Sequence, residues 1–477
     1  MSLDFFILMK QELFLMLIIF VLLTLKVMDG IKENATVIHF TNFLLLANFV
    51  LGFLGNRDGE LFSGMFHTNG ILAVEKSILN LGTLIISMQA FDWLKNHKHV
   101  FEFYILLLCT LLGMFFMISS NNFLMFYLGL ELSSIPLAAL VNFDLDKLRS
   151  SEGAVKMILS SAFASGIMLF GISILYGTTG TLNFTEMQPY LTGNKLQLLG
   201  FIFIFSGFAF KLSSVPFHLW TADVYEGAPV SITSYLSVIS KGSVVFVLVS
   251  VLYSLFRNWE GVWYNVLFFS IVLTITVGNL FAIRQDNLKR FLAFSSITQV
   301  GYILLGMTAG NAMGTASSVY FMIVYVFSNL GAFGVIALVS AQTGRESIND
   351  LKGFYANNKL LSWVMALSLF SLAGIPPTAG FFGKMFLVTA GASRGNFILV
   401  GIAVLNMVIS LYYYLRVVKA IFVDKNEDPL PKLNGSLSLN IALVICVLGI
   451  LAVGFAGGSF EYIHSLVAQV PPVVSAP

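Results

Sequence analysis

The feature that most constrains this chain is a series of fourteen long apolar runs, separated by short polar or turn-rich segments. A helix that crosses the hydrocarbon core of a bilayer needs about 20 mostly apolar residues, and the runs are of about this length. They predict an all-α polytopic membrane protein in which each run is one transmembrane helix. The approximate limits of the runs are 11–26, 37–55, 70–90, 101–118, 121–141, 153–176, 196–217, 231–256, 262–283, 290–308, 314–340, 359–390, 396–418 and 437–457.

The composition agrees with this interpretation. Of the 477 residues, 57% are hydrophobic and only 10% are charged, whereas soluble domains carry about 25% charged residues. These values exclude a water-soluble globule, a disordered chain and a fibrous protein. The net charge of +2 is too small to indicate a nucleic-acid partner. The connections are short, so no soluble catalytic domain is expected.

The basic residues predict the direction of the helices. With the connections assigned alternately to the two sides of the membrane, sixteen basic residues fall on the side opposite the N-terminus and five on the side of the termini. Because Lys and Arg accumulate on the cytoplasmic side, both termini are predicted to lie outside. The first run lacks a charged leader and a cleavage site, so we expect it to be retained. The five basic residues on the side of the termini are Lys10, Arg57, Lys195, Arg257 and Arg394.

Two of the runs contain breaks at proline. The seventh run includes Val215-Pro216-Phe217-His218, and the twelfth includes Gly374-Ile375-Pro376-Pro377. Proline removes a backbone donor and clashes with the preceding turn, so both helices should be interrupted. Because runs seven and twelve cross in opposite directions, the pair suggests two inverted repeats, runs four to eight and runs nine to thirteen. The alternative is two unrelated proline kinks.

Four ionisable residues lie deep within runs: Glu131, Lys211, Lys241 and Lys384. A charge at the centre of a membrane helix costs about 2.5–3.5 kcal/mol, so both a compensating environment and a function are expected. Removal from water disfavours an ammonium, while a carboxylate about 4 Å away favours it by roughly 4 kcal/mol. Movement of Glu131 could therefore make a lysine hold or release a proton. Helix packing for Glu131 and snorkelling for the lysines are the alternatives.

Three further residues are weaker candidates for proton transfer. Lys156 follows Glu152 at i,i+4, so an interfacial pair is an equal alternative. Lys289 lies at the inner end of the tenth run, where topology alone could explain it. His218 follows the Pro216 break and could either relay a proton or cap broken backbone. For Glu75-Lys76, near the outer end of the third run, we expect an interfacial pair rather than a relay.

Redox chemistry is not expected on this chain. The two cysteines, Cys109 and Cys446, allow no iron–sulfur cluster, and the six histidines form no metal or haem motif. No nucleotide-binding glycine motif occurs in a strand–helix context. The sequence therefore predicts no cofactor and no metal.

Several segments, in a fixed order, resemble one family. FKLSSVPFHLWTADVYEGAP, from Phe210 to Pro229, resembles the broken seventh helix of proton-translocating antiporter-like proteins. LGLELSSIP around Glu131, SVISKGS around Lys241, QDNLKRFLAFSSITQVGYI from Gln285 to Ile303 and SLAGIPPTAGFFGK from Ser371 to Lys384 resemble the other hallmarks. The best resemblance is to the N-type (mitochondrial subunit-2-like) membrane subunit of respiratory complex I, the proton-pumping NADH:quinone oxidoreductase.

The resemblance implies a single membrane domain, 1–477, of fourteen helices with four parts. These are three N-terminal helices (1–100), a first inverted repeat (101–256), a second (257–423), and the last helix with the C-terminus (424–477). By position, Glu131 matches the helix-five carboxylate of the family and Lys211 its helix-seven partner. Lys241 matches the central lysine, Lys384 the helix-twelve lysine, and Lys156 a helix-six lysine.

The resemblance also implies the setting. NADH, FMN, iron–sulfur clusters and quinone would be bound by partner subunits, among them an M-type antiporter-like subunit and small K-, J- and A-type subunits, and the chain would also contact lipid. Ser237 and Ser240 stand where L and M types usually place a histidine, and no lateral helix follows the last run; both favour the N type. Animal mitochondrial versions lack the first three helices, so a bacterial inner membrane with periplasmic termini is expected. The alternatives are a multisubunit cation/proton antiporter, a hydrogenase-type complex of the same fold, and a structural scaffold.

Overall fold

The computed structural model describes residues 3–28, 33–426 and 428–469, and most of these residues are helical. Two short strands, β1 and β2, and several short 3-10 segments join the helices. The helices and strands are α1 (Leu3–Leu8), α2 (Lys10–Val27), α3 (Asn34–Leu51), β1 (Gly59–Leu61), β2 (Phe66–Thr68), α4 (Gly70–Gln89), α5 (Phe91–Leu94), α6 (Val100–Ile118), α7 (Phe123–Val141), α8 (Leu148–Thr179), α9 (Phe184–Met187), α10 (Lys195–Leu212), α11 (Leu219–Gly227), α12 (Val230–Tyr235), α13 (Lys241–Tyr253), α14 (Glu260–Ile283), α15 (Leu288–Met307), α16 (Ala312–Thr343), α17 (Phe354–Asn357), α18 (Lys359–Ala373), α19 (Ala379–Ala392), α20 (Phe397–Phe422), α21 (Leu437–Phe455) and α22 (Gly458–Gln469).

Every predicted run coincides with one helix or one interrupted helix. Among the described residues, 11 helices are long and apolar enough to cross a membrane. The α2 and α15 helices have 18 and 20 residues but carry more polar side chains, and the twelfth run is divided into the shorter α18 and α19. The all-α membrane architecture is confirmed, whereas the count of fourteen crossings stays a prediction.

Both predicted interruptions are present. The seventh run ends its first helix at Leu212, turns through Ser213 at φ +60°, and resumes as α11 at Leu219. The twelfth run ends α18 at Ala373, turns through Gly374 at φ +87°, and resumes as α19 at Ala379. Glycine adopts this left-handed conformation without a steric penalty.

The freed backbone at the first break is bound by a neighbouring helix. The Ser214 hydroxyl oxygen lies 2.6 Å from that of Ser270 and 2.9 Å from that of Thr274, both on α14. The Val215 amide donates to the Thr274 hydroxyl at 3.1 Å. Irregular backbone at membrane depth requires such internal partners, since lipid offers none.

A two-stranded antiparallel hairpin covers one end of the helix bundle. Residues of β1 and β2 pair as Glu60 with His67, and the His67 amide donates to the carbonyl of Ser119 at the end of α6. We call this end the hairpin face. The beginnings of α8 and α15 lie at the opposite face, where the Lys26 ammonium is 2.7 Å from Glu102 Oε1 at the start of α6. The hairpin was not predicted, because its strands have only three residues each.

The α4 helix is buried although it belongs to the N-terminal helices. It packs against α3, α16 and α21, and 89% of the residues in its apolar 18-residue stretch are buried inside the protein. The Gln89 side-chain amide donates to the Leu330 carbonyl on α16 at 2.9 Å. A Cβ on Gly334 would meet this amide at 2.6 Å, so glycine there permits the close approach. The N-terminal helices are thereby joined to the second half of the chain.

Candidate functional site

Lys211 lies in the last turn of α10, directly before the first break. Its ammonium donates to the hydroxyls of Ser134 on α7, at 2.6 Å, and Ser161 on α8, at 2.8 Å. All three residues line a cavity of about 10 Å³, together with Ser240. A volume of this size holds roughly one water molecule, and its lining provides several polar partners.

Glu131 lies on α7 one helical turn before Ser134. Within residues 3–28, 33–426 and 428–469 it forms no ion pair with Lys211, whose ammonium donates to Ser134 and Ser161 instead. Its Oε1 atom is buried and has no hydrogen-bond partner among these residues.

Lys241 is the first residue of α13 and follows a five-residue π-helical turn, Leu236–Ser240. Its side chain is 2% exposed, and its ammonium donates to the Ser296 hydroxyl on α15 at 2.7 Å. The Tyr225 ring centroid is 5.5 Å from the ammonium. Isolated π-turns inside helices frequently occur at functional sites, but this one was not predicted because its residues carry no distinguishing pattern.

Lys384 is held by backbone that the second break has freed. Its ammonium, on α19, donates at 3.1 Å to the carbonyl of Ala373, the last residue of α18. The Tyr302 ring centroid lies 5.0 Å away, and Lys384 is only 4% exposed. The break therefore supplies the acceptor for the lysine that the sequence places after it.

A polar strip on α15 lies between Lys241 and Lys384. The Gln299 side-chain amide donates to the Leu372 carbonyl at 3.0 Å and to the Tyr414 hydroxyl at 2.9 Å. The Tyr414 oxygen is 2.5 Å from the Ser295 hydroxyl oxygen, and Ser295 precedes the Lys241 acceptor, Ser296. These side chains were not predicted as site residues, although Ser295, Ser296 and Gln299 lie within the segment from Gln285 to Ile303.

Lys289 lies at the start of the same helix. It is 5% exposed, and its ammonium is 3.2 Å from both the Ala228 carbonyl and Glu346 Oε2. Ser296 follows seven residues later, about two helical turns along one face. Lys289 is thus aligned with the polar strip and reaches the opposite face of the bundle.

The structure separates two weaker candidates from this group. The Lys156 side chain is 42% exposed, and its ammonium is 2.7 Å from both Glu152 Oε1 and Asp223 Oδ2. The predicted i,i+4 pair with Glu152 is present. His218 is 9% exposed just past the first break, and its Nδ1 has no hydrogen-bond partner in the part of the chain that the structure describes. Roles in proton transfer remain predictions for both residues.

The expectation for Glu75-Lys76 is wrong. Lys76 is not interfacial: its ammonium is 2.6 Å from Glu12 Oε1 on α2, and both side chains are 1% exposed. Glu75 is also buried, at 4%. The partner of Lys76 lies 64 residues earlier in the chain, so the local pattern could not reveal it.

Metal ligands do not gather in the described part of the chain. No group of three or more His, Cys, Asp or Glu residues there could hold a metal ion. Cys109 and Cys446 are both free thiols. The ionisable groups at the breaks are instead bound to hydroxyls and carbonyls, an arrangement suited to holding and passing protons.

The class of protein is given by a family model described as NADH:quinone oxidoreductase/Mrp antiporter, TM, which matches residues 120–410. A chain of the Mrp complex from Dietzia sp. DQ12-45-1b has a TM-score of 0.85 at 18% identity, covering 97% of each chain. At that identity the likeness shows the fold alone. The fold and the buried lysines together define an antiporter-like membrane protein.

Curated relatives place the chain within this class. NADH-quinone oxidoreductase subunit N of Phocaeicola vulgatus is 50% identical over 423 residues, covering 88% of this chain and 89% of the relative. Subunit N of Rhodospirillum rubrum is 37% identical, covering 79% and 78%. A chain of respiratory complex I from Thermus thermophilus has a TM-score of 0.81 at 27% identity, covering 94% of this chain and 97% of that one. The chain belongs to the family of NADH-quinone oxidoreductase subunit N.

Proposed function

We propose that this protein translocates protons as a membrane-arm subunit of NADH:quinone oxidoreductase, and that redox chemistry in partner subunits drives it. The identity to subunit N of Phocaeicola vulgatus, 50% over 423 residues, supports the assignment to this complex. The chain is in this sense part of a translocase without carrying out the redox step itself. Its partners are other membrane subunits of the complex.

The observation that carries the proposal is the placement of three buried lysines. The ammonium groups of Lys211, Lys241 and Lys384 are bound by hydroxyls or a carbonyl, and none has a carboxylate within ion-pair distance among the described residues. Burial disfavours the charged form of each, and no ion pair holds it in that form. Such groups can release a proton when a neighbouring charge changes.

Each residue then has a definite role. Glu131 sets the charge state of Lys211, and Lys241 receives a proton near the centre of the chain. Lys384 serves the second half-channel, with the polar strip of α15 between it and Lys241. Lys289 supplies a path from the opposite face, and His218 a relay beside the first break. Lys156 tunes the entrance through its two carboxylate partners.

We further propose that the two half-channels correspond to inverted repeats, residues 101–256 and 257–423. The interruptions after Leu212 and Ala373 support this division, because each lies beside a buried lysine. Lys211 directly precedes the first interruption, and the second supplies the carbonyl that accepts from Lys384. Residues 1–100 and 424–477 flank the repeats. The last eight residues and residues 1–2 lie outside the described part of the chain.

The protein is a multi-pass membrane protein, and we propose the bacterial inner membrane as its location. The excess of basic residues at the opposite face supports a cytoplasmic position for that face and a periplasmic one for the hairpin face and the termini. An M-type antiporter-like subunit and small K-, J- and A-type subunits are the proposed neighbours. NADH, FMN, iron–sulfur clusters and quinone belong to partner subunits in this proposal.

A cation/proton antiporter is the alternative, since the Mrp chain has the same fold at 18% identity. The 50% identity to a complex I subunit favours the redox-driven complex. A structural scaffold is disfavoured by three buried lysines that membrane insertion penalises.

The decisive experiment is Lys211→Ala in the assembled complex, with NADH-driven proton uptake measured in inverted membrane vesicles. Native electrophoresis of solubilised membranes reports how much complex has assembled with the variant subunit. We expect loss of most proton uptake. The matched control is Lys195→Ala, an exposed lysine on the same helix, which should pump normally. Normal pumping by assembled Lys211→Ala would refute the assignment.

A further inference from the structure

A second group of buried ionisable residues lies in the N-terminal helices, away from the lysines of the two half-channels. Glu12 on α2 pairs with Lys76 on α4 at 2.6 Å, with both side chains 1% exposed. Glu75, the neighbour of Lys76, is 4% exposed. The β2 strand approaches the group from the hairpin face: the Phe66 ring centroid is 5.3 Å from the Lys76 ammonium, and His67 is the next residue. None of the roles assigned above uses these four ionisable residues.

The charges of this group do not balance. The group has two buried carboxylates, Glu12 and Glu75, but only one fully buried ammonium, that of Lys76, and it pairs with Glu12. His67 does not supply a second positive charge, because burial and the nearby Lys76 lower its pKa to about 4. An unpaired carboxylate in such a place is strongly disfavoured in its charged form. One proton on either carboxylate makes the group neutral.

Neighbouring elements do not provide the missing charge. The α12, α16 and α21 helices, which pack against α4, contain no charged residue in their sequences. On α2, Lys10 is the nearest further cation, but it is partly exposed and donates to the Leu54 carbonyl and to Asn56 Oδ1 rather than to a carboxylate of the group, so water screens its charge. The α22 helix adds only Glu461, which is exposed, and His464. The other ends of α3 and α6 carry His39 and Glu102, and Asp92 on α5 lies at the same remote end. Lys241 on α13 is bound to Ser296, and Glu60, opposite His67 on β1, is exposed.

One buried carboxylate oxygen of the group is free to accept a proton, whereas His67 stays neutral because of its lowered pKa. Glu12 Oε2 and His67 Nδ1 have no hydrogen-bond partner among the described residues, although both are buried. A purely structural ion pair would satisfy both carboxylate oxygens, since leaving one unpaired loses stability. The unpaired oxygen is instead what a proton-accepting site requires.

A short route connects the group to water. A cavity of about 10 Å³ at the hairpin face is lined by Lys10, Gln11, Asn56 and Thr68. Gln11 precedes Glu12, and its side-chain amide donates to the Ser77 hydroxyl, next to Lys76, at 3.2 Å. The cavity holds about one water molecule within a few side chains of the ion pair.

We propose that Glu12, Glu75, Lys76 and His67 form a proton-holding site that carries one exchangeable proton between the two carboxylates and exchanges it with water at the hairpin face. The proton arrives from and returns to a water molecule, and no other bond forms or breaks. The site is separate from the lysines of the half-channels. It is independent of the proposed function, because its proton is present without NADH turnover.

Infrared difference spectroscopy of the assembled complex, titrated with pH and without NADH, tests the site. Wild type should show the carbonyl stretch of one buried protonated carboxylic acid. Either Glu12→Gln or Glu75→Gln should abolish this band, because the remaining carboxylate pairs with Lys76. Lys76→Met should instead roughly double it, since both carboxylates then need a proton. An unchanged band in all three variants would overturn the proposal.

Two controls complete the experiment. Glu60→Gln changes an exposed carboxylate on β1 and should leave the band unchanged, as should Lys211→Ala, which tests the proposed function separately. Thr68→Leu, which fills the cavity, should slow the shift of the band in D₂O several-fold. An unaltered exchange rate in Thr68→Leu would overturn the route to the hairpin face.

Discussion

The ammonium of Lys241 and the hydroxyl of Ser296 are joined by a 2.7 Å hydrogen bond that links α13 to α15. Ser296 in turn donates to the Ala293 carbonyl at 2.7 Å, so its orientation is fixed within its own helix. The central lysine therefore depends on one serine for its polar contact in the described part of the chain. A hydrogen bond to a charged group contributes about 1.5–3 kcal/mol.

Ser296→Ala should impair proton pumping more than it impairs assembly. Loss of the acceptor disfavours charged Lys241, and the expected reduction in NADH-driven proton uptake is about tenfold, from the lower end of that energy range. Ser362→Ala, a buried serine on α18 whose hydroxyl donates to the Asn358 carbonyl, is the matched control. Equal pumping by the two variants would contradict the role of Ser296.

Gly380→Ala should disrupt the second interrupted helix. A Cβ at this position would fall on the carbonyl oxygen of Ser371 across the break, and backbone cannot yield as a flexible side chain can. Overpacking of this kind typically costs about 1–3 kcal/mol. The amount of assembled complex in membranes, measured by native electrophoresis, should fall. Gly401→Ala on α20 meets nothing within 4 Å and should assemble normally; if both variants assemble equally, the close approach is not essential.

Asp223→Asn should weaken the network at the opposite face in a salt-dependent manner. Asp223 Oδ2 binds Lys156 and Oδ1 lies 2.8 Å from Arg290, so the carboxylate joins α8 to α15. These groups are partly exposed, and salt screens them. We expect the thermal-inactivation half-life to shorten by less than about twofold in low salt and to match wild type in about 1 M salt. The control is Glu152→Gln. If Asp223→Asn instead lost proton pumping at every salt concentration, Lys156 would require the Asp223 carboxylate for proton conduction.

Acidification should loosen the hairpin through His67. Burial, with Lys76 nearby, lowers the pKa of His67 from 6.5 to about 4. Between these values the unfolded chain binds the proton more readily than the folded chain. The contribution of neutral His67 to the free energy of unfolding is therefore fully present above pH 6.5 and is lost as the pH falls towards 4, by at most about 3 kcal/mol. His67→Asn should show a weaker dependence of thermal-inactivation half-life on pH in this interval.

The control for this measurement is His99→Asn, a substitution in an exposed connection. It should retain the dependence of the wild type. Identical pH profiles for His67→Asn and wild type would show that another group is responsible.

The sequence predicted the helices and their interruptions because both follow from local chemistry. The length of each apolar run is set by the bilayer, and Pro216 and Pro376 cannot continue a regular helix. The positions of Lys211 and Lys384 relative to the breaks were therefore also correct. The all-α fold and the family assignment are also confirmed, and two of the five motifs that carried the resemblance span these breaks.

Contacts between distant segments could not be predicted. Glu12 and Lys76 lie 64 residues apart, and no periodicity connects the first run with the third. The acceptors of the buried lysines were also missed. Ser296 was one of several serines, and the Ala373 carbonyl has no side-chain signal at all. Such partners are set by helix packing, which depends on the whole chain.

The acceptors of Lys384 and Lys241 differ in how they respond to amino-acid substitution. Every amino acid brings a main-chain oxygen, so substitutions at position 373 that fit the space keep the contact intact. The hydroxyl at position 296 disappears with most single-codon changes. Lys241 should consequently lose its acceptor through single substitutions more readily than Lys384, whose acceptor is unwound backbone.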